Sequence, residues 1–541
     1  MFIKEKRDGA VKARGCADGR PQRQYTEKSD ASSPTVSLEA MMLSCCVDAK
    51  EGRCVAVTDI PGAFLHADMN ERIHMVMEGT VAEQVAKLEP TIYRKYVWHD
   101  KKGKPMLYVR LKKALYGTLQ AALLFWQLLS DTLVSWGFTI NPYDQCVANK
   151  QINGKQCTIV WHVDDLKISH VNEEVVEDII ARLNKKFGKE SPLTTSRGKV
   201  LEYLGMTLDY SKKGRVKISM YDYVKKIVDE SPNDMSGVAK TPASSHLFQS
   251  NPECKKLPEK TAQLFHHITA KLLYLCKRTR QDIQTAVAFL CTRVKSPDTD
   301  DYKKLTRVIQ YLRGTQELTL TIEPNEHPNW WVDSSYAVHP DMRSHSGIIM
   351  MLGKGAVYSG SCKQKLNTKS STEAELVGID DAMGQVLWTR HFLAAQGEYV
   401  PTTTIYQDNK STILLAENGK TSSSKRTRHL NVRYYFITDQ VKKGHVKVAF
   451  CPTQDMVADF FTKPLQGKLF TRMRERILNL PASKIASVHR SVLEQRVTNE
   501  VMVKKGKNDK SAEVDKTQET RVNKKNAREE IKPSTDEYPR T

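Results

Sequence analysis

The spacing of apolar residues changes period several times along this chain, and each change predicts an element. Residues 38–46 look helical. The run Cys54-Val-Ala-Val-Thr58 reads as a buried strand and ends in Asp59. Met106-Leu-Tyr-Val-Arg-Leu111 reads as a second strand. From Ala121 to Trp136, Leu and aromatic residues recur at helical spacing until Gly137 stops them. Cys157-Thr-Ile-Val-Trp-His-Val163 then leads into Asp164-Asp165 and Leu166-Lys-Ile168, which predicts an apolar hairpin with two carboxylates at its tip. Residues 173–187 form an amphipathic pattern that ends at Gly188, and 201–210 with 214–220 predict a hairpin around Lys212-Lys-Gly214.

A looser stretch, 231–260, shows no clear period and reads as a boundary. Helical patterns follow around 261–278, 281–294 and 300–313. A second α/β pattern starts near 329 and ends near 480. The tail beyond it is rich in Lys, Glu, Asn and Thr and poor in large apolar residues, a composition that favours disorder. The division expected is 1–250, 251–328, 329–480 and 481–541. No internal repeat is evident.

With 541 residues the chain is too long for one ordinary core. Its 40% hydrophobic content suits a soluble globular protein. No apolar run approaches the roughly 18–20 residues of a spanning helix, and Met1-Phe-Ile-Lys-Glu-Lys-Arg7 has no signal-peptide core. The formal net charge of +21 points to a polyanionic partner, nucleic acid first. The tail biases that charge, but the remainder is basic too. Eleven scattered cysteines without a Cys-x-x-Cys pair suggest neither a zinc pattern nor a disulfide framework. Reduced cysteines in an intracellular protein fit best.

The acids carry the chemistry. Adjacent carboxylates repel, and neither Asp164-Asp165 nor Asp59 should be comfortable beside a buried strand. A pair of divalent cations is the economical reason to hold three of them at strand ends. Mg²⁺ takes oxygen ligands, with carboxylates and substrate phosphates as its usual partners. Two such ions roughly 3.5–4 Å apart clamp the attacking and leaving oxygens of a phosphoryl transfer, which is polymerase chemistry.

Three segments then carry a family resemblance. Thr58-Asp-Ile-Pro-Gly-Ala-Phe-Leu65, Leu111-Lys-Lys-Ala-Leu-Tyr-Gly117 and His162-Val-Asp-Asp165 resemble three successive reverse transcriptase motifs of Ty1/copia-type retrotransposon polyproteins. The resemblance implies an α/β (α+β) right-hand polymerase of palm, fingers and thumb, with incomplete fingers because the family's fingers begin well before Lys4. It implies that Asp59 and Asp164 bridge two metal ions and that Asp165 supports one ion or the hairpin. Phe64 would lie under the incoming sugar and exclude a 2′-hydroxyl. Tyr116 and Gly117 would line the nucleotide pocket, Gly117 letting backbone approach the substrate. Lys6 and Arg14 would hold the triphosphate. The family usually has Tyr where this chain has His162, whose imidazole can titrate near neutral pH.

The second α/β pattern carries four more acids. Trp330-Trp-Val-Asp333 and Thr404-Ile-Tyr-Gln-Asp-Asn409 read as strands ending in Asp. Ser370-Ser-Thr-Glu-Ala-Glu-Leu376 opens a helix, and Asp455-Met-Val-Ala-Asp-Phe-Phe-Thr-Lys-Pro464 forms a short one. This region resembles the ribonuclease H domain that follows reverse transcriptase in the same elements. The resemblance implies that Asp333, Glu375, Asp408 and Asp459 hold two Mg²⁺ ions, with Mn²⁺ as an alternative. Glu375 is preferred to Glu373, which would point elsewhere on a helix. Lys425-Arg-Thr-Arg-His-Leu430 would touch phosphate, with His429 assisting product release. Two other runs are set aside. Phe265-His-His-Ile268 places its histidines on different sides of a helix, and Asp333-Ser-Ser335 lacks the Gly of an aspartic protease loop.

These readings imply an RNA-directed DNA polymerase with an attached ribonuclease H. Its partners would be an RNA template, a DNA primer, deoxynucleoside triphosphates and the RNA/DNA hybrid. Capsid and integrase from the same polyprotein are further candidate partners, no membrane is involved, and the setting is a cytoplasmic particle or the nucleus. The alternatives are a non-catalytic nucleic-acid-binding relic and a ribonuclease H active alone. A processed product, a truncated element and a shortened gene model all fit the abrupt start.

Overall fold

The segments bearing Asp59 and Asp164-Asp165 meet in one antiparallel sheet. In this computed structural model, residues 2–5, 11–419 and 431–481 are described. Lys6, the basic segment 425–430 with His429, and the tail from 482 onward lie outside the described residues. The sheet has six strands in the order Thr194–Ser196, Cys54–Asp59, Asp165–His170, Lys155–His162, Asp144–Ile152 and Thr139–Asn141. The helix Glu173–Phe187 packs on the strands Cys54–Asp59 and Asp165–His170 and buries Val176, Ile179 and Leu183. The helix Leu38–Glu51 packs on Lys155–His162 and has buried residues all round. That helix is buried on nearly every side because a second sheet lies behind it, where it meets Ala356–Lys363.

One buried charge network ties this helix to the sheet. Lys167, fully buried in the strand Asp165–His170, pairs with Asp48 of the helix. Arg53 lies 3.8 Å from the same carboxylate and donates to Thr158 Oγ1 at 2.9 Å. Removing one partner of such a set would leave an uncompensated charge, which costs about 3–5 kcal/mol.

The expected hairpin of 201–210 with 214–220 forms between Met206–Asp209 and Val216–Ser219, and its first segment holds a further hairpin. Val200–Tyr203 and Met206–Asp209 are already a hairpin, with Tyr203 opposite Met206. The two residues between them, Leu204 and Gly205, both have positive φ (48° and 74°), the geometry of a tight two-residue turn. A leucine in the first turn position hid it from the sequence. Val216–Ser219 is the third strand, and the fourth is Leu320–Ile322 from the stretch expected to be a helical connection.

The three expected helices of that connection are present, as Glu259–Cys276, Gln284–Cys291 and Thr299–Arg313. A buried cluster locks them. Arg280 donates to both oxygens of Asp282 at 2.9 Å, and Tyr311 donates to Asp282 Oδ2 at 2.7 Å. The second unit is a five-stranded sheet in the order Ala356–Lys363, His345–Met351, Asn329–Ser335, Thr403–Gln407 and Val446–Phe450. The first three strands are antiparallel and the last two join in parallel. The long helix Ser371–Ala395 crosses it.

The α/β fold class expected from the sequence is what forms. The two sheets are not separate bodies, since one continuous hydrophobic core runs from Val36 to Leu478. Polar contacts cross between them as well: Lys50 pairs with Glu398 at 2.6 Å, and Trp388 Nε1 donates to the Tyr143 carbonyl at 3.0 Å. Thr285 of the connecting helices donates to the Phe460 carbonyl at 2.7 Å.

Candidate active sites

Two sets of acids emerge, one at the end of each large sheet. In the first, register sets Asp165 opposite Asp59 on one side and opposite His162 on the other. Asp164 lies in the turn between the strands Lys155–His162 and Asp165–His170, just after Val163, whose φ is +59°. The Ile60 amide donates to the Asp164 carbonyl at 3.1 Å and ties that turn to the end of the Asp59 strand. All three acids are half-buried.

The residues named for the nucleotide pocket gather beside this end. The rings of Phe64 and Tyr116 lie 4.4 Å apart, and Phe64 also touches core Phe125 at 6.4 Å. Gly117 has φ +93°, and a Cβ there would meet the Ala17 carbonyl oxygen at 2.0 Å. The close approach expected of Gly117 is therefore made, within the protein itself, to the chain at Ala17. The Ala17 amide also donates to the Tyr116 carbonyl at 2.7 Å. Gly117→Ala should lower stability by about 1–3 kcal/mol, from strain at positive φ and the backbone clash. Chemical denaturation checks this, and an unchanged midpoint would refute the close approach. Arg14 ends the strand Val11–Arg14, and its side chain is outside the described set.

His162 lies half-buried opposite Asp165. Burial pushes its pKa down from the ordinary 6.5, and Arg278 adds to this while Asp164 opposes it. Desolvation thus favours the neutral form of this imidazole.

The second set is more tightly gathered. Oxygens of Asp333, Glu375 and Asp408 all lie within 4.8 Å of one another, the one such acidic trio among the described residues. Asp333 comes from the central strand Asn329–Ser335, Glu375 from the first turns of the helix Ser371–Ala395, and Asp408 from just past Thr403–Gln407. The helix can approach because Gly378 lies against Ser334, where a Cβ would come within 2.4 Å of the hydroxyl. Glu373 does something else: it accepts from the Lys369 amide at 2.7 Å at the helix start. Gln407 organises the strand end, donating to Glu375 at 3.2 Å and accepting from the Asp408 and Asn409 amides. Thr453 donates to Asp408 at 2.9 Å.

Asp459 stands outside the trio. Lys463 pairs with it at 2.6 Å and reaches Asp333 at 3.6 Å, while Thr462 donates to Asp333. Neither Thr462 nor Lys463 was expected to act in the site. A signal for Lys463 exists in the sequence, because it is four residues beyond Asp459, the spacing at which helical side chains meet.

Burial, then the nearby Asp333 and Asp408, push Glu375 up to about 9. Burial and Asp333 likewise raise Asp459 to about 7, against the opposing Lys463. The trio is thus an incompletely compensated negative cluster, and hard oxygen donors in that state fit a divalent cation. A carboxyl raised above its unfolded value of about 4 contributes stability at low pH that is lost as pH climbs. Without divalent cations, this site should destabilise the fold progressively from about pH 4 to 9. Mg²⁺ should therefore raise the melting temperature more at pH 8 than at pH 5. Calorimetry with and without Mg²⁺ checks this, and an equal gain in Asp333→Asn would sink it.

Known proteins resemble the chain over most of its length. The family model for reverse transcriptase (RNA-dependent DNA polymerase) matches residues 2–243. The chain is 25% identical over 488 residues to the retrovirus-related Pol polyprotein from transposon TNT 1-94 of Nicotiana tabacum, covering 88% of this chain and 35% of that one. It is 24% identical over 495 residues to the Ty1-DR5 Gag-Pol polyprotein of Saccharomyces cerevisiae, covering 87% and 26%. The chain thus spans about a third or less of these relatives. Among solved structures, the prototype foamy virus protease–reverse transcriptase aligns at 14% identity and a TM-score of 0.24, covering 91% of this chain and 52% of that one.

Proposed function

On the premise that residues 2–243 match the reverse transcriptase (RNA-dependent DNA polymerase) family and that the chain as a whole is similar to copia-type Pol polyproteins, we propose that it copies RNA into DNA and cuts the RNA of the resulting hybrid. The observation that carries this reading is that two separate sheets each end in their own set of acids. Asp59, Asp164 and Asp165 would hold Mg²⁺ for synthesis. Asp333, Glu375, Asp408 and Asp459 would hold it for cleavage. Bound divalent cations supply a charged clamp on the attacking and leaving oxygens of a phosphodiester.

The chain's own residues would do the rest. Phe64, braced by Tyr116, would lie under the incoming sugar. Phe64→Ala should admit ribonucleotides, which a primer-extension assay with ribonucleoside triphosphates reads directly. Undiminished discrimination would place the gate elsewhere. In the second site, Lys463 would keep Asp459 oriented and Thr462 would hold Asp333 in place. We divide the work as polymerase in 1–250, helical connection in 251–328 and ribonuclease H-like domain in 329–480. RNA template, DNA primer, hybrid and deoxynucleoside triphosphates are the partners, inside the cell.

A second reading has one observation in its favour. Only the second set is gathered within 4.8 Å among the described residues, which suits a ribonuclease H active alone. Primer extension on an RNA template, run beside cleavage of a labelled RNA/DNA hybrid with Mg²⁺, tests both. Both activities are expected. Cleavage alone would favour the second reading, and neither activity in a folded, binding-competent protein would make the chain a relic.

A further inference from the structure

A small sheet outside both acid sites has one open face. Its strands are His74–Glu78, Pro105–Arg110 and Trp98–His99, in that order. Side chains alternate between faces with a period of two. One face is covered: Leu107 is fully buried, and the helix Thr80–Leu88 packs against it through Ala82. On the other face, Val76 lies opposite Tyr108 and His74 opposite Arg110. Trp98 joins them beside Met106.

That face is aromatic and open. Trp98 and Tyr108 are 45% and 57% exposed. Their rings are parallel to within 4°, with centroids 6.1 Å apart. Nearby Tyr96 is exposed, with the Lys95 ammonium 5.0 Å from its ring centroid. Positive charge predominates around it, with Glu78 of the same face paired to Lys104. Residues 90–113 contain eight Lys or Arg and a single acid, Asp100. All eight cations are exposed. Glu78 neutralises Lys104, and Asp68 neutralises Lys113 at 2.7 Å. Asp100 is engaged by the Lys102 and Lys104 amides.

A run of lysines by itself is a solvated surface. Two parallel aromatic faces held on a sheet within that run are different, because exposing them costs free energy that folding does not recover. Flat π surfaces ringed by cations match a ligand with flat bases and a phosphate backbone. We propose that the open face of the 74–110 sheet binds single-stranded nucleic acid, with bases stacked on Trp98 and Tyr108. Arg110, Lys101 and Lys102 then meet its phosphates. Sequence preference is weak, because every base has a π face. The inference uses no carboxylate of either acid site and stands independently of the chemistry proposed there.

The rival occupant is a second copy of the chain, since apolar Leu88 and Ile92 are exposed on the helical side. An anionic lipid surface is the other. The test uses the full chain and a labelled oligothymidylate, read by fluorescence anisotropy over a salt series. The Trp98→Ala, Tyr108→Ala double variant should bind ~10–100-fold more weakly, with its salt slope little changed. Trp98→Phe should retain most of the binding. Lys101→Gln, Lys102→Gln and Arg110→Gln together should flatten the slope by roughly one for each phosphate no longer neutralised. Melting temperatures near the parent's show that the variants fold, and binding to a blunt RNA/DNA hybrid should be little affected. Parental affinity in the double variant overturns the proposal, as does an equal loss toward the hybrid. Conversion of a dimer to a monomer with oligothymidylate binding intact assigns the face to a second copy. Loss of binding to phosphatidylserine vesicles alone assigns it to a lipid surface.

Discussion

Asp408→Asn should stop cleavage of the RNA strand while leaving primer extension nearly intact. Asp408 follows the strand Thr403–Gln407, and its oxygen lies within 4.8 Å of oxygens from Asp333 and Glu375. An exposed strand-end Asp replaced by Asn changes stability by only about ±0.5 kcal/mol. Within the trio the substitution removes one charge from the set that would hold two cations. A fall of about 10³-fold in cleavage, roughly 4 kcal/mol at the transition state, is the expected scale. Stability should move the other way. Asp408 is one of the groups that raise Glu375, so relieving that repulsion should make the metal-free variant at least as stable as the parent at pH 8. Cleavage of a labelled hybrid in Mg²⁺, beside a melting curve in chelator, reads both effects. Near-parental cleavage would make Asp408 an ordinary strand-end residue.

Asp164→Asn should abolish DNA synthesis and spare cleavage. Asp164 sits in the tip of the hairpin whose next residue, Asp165, is registered against Asp59. It is half-buried at the end of the first sheet and has no place in the second set. The hydrogen bond from the Ile60 amide reaches its carbonyl rather than its carboxylate, so the amide variant should keep the turn. The expected fall is again on the order of 10³-fold. Retained extension by a folded variant would remove Asp164 from the proposed metal set. Loss of both activities would instead mean that the sites are coupled through the shared core.

Much of the local structure was legible because its causes are local. Gly137 and Gly188 end amphipathic patterns, and the helices Ala121–Ser135 and Glu173–Phe187 stop just before them. The strands that carry Asp59 and Asp333 are short apolar runs, which periodicity reports directly. The family resemblance singles out Glu375, and two residues along a helix point Glu373 elsewhere; the structure groups Glu375 with Asp333 and Asp408, while Glu373 accepts from the Lys369 amide.

What escaped the sequence depends on partners distant in the chain. Leu320–Ile322 reads as part of a connection, yet it completes a sheet with Val216–Ser219, roughly a hundred residues earlier. Lys167 looks like an exposed strand residue, yet it is fully buried because Asp48 on a separate helix meets it. The 74–110 sheet was seen only as the strand around 106–111, since its partner strands are short and polar on one face.

By itself the sequence picked out the acids that the two sheets carry at their ends, and the order and ends of most elements. Those depend on side-chain type, period and turn residues, all readable within a few positions. Tertiary structure alone decided that Asp333, Glu375 and Asp408 form a close trio, with Asp459 outside it and linked to Asp333 through Lys463. It also decided that burial lowers the His162 pKa and that the two sheets share one core. Each of these follows from distances and desolvation between groups far apart in the chain, and no local pattern encodes them.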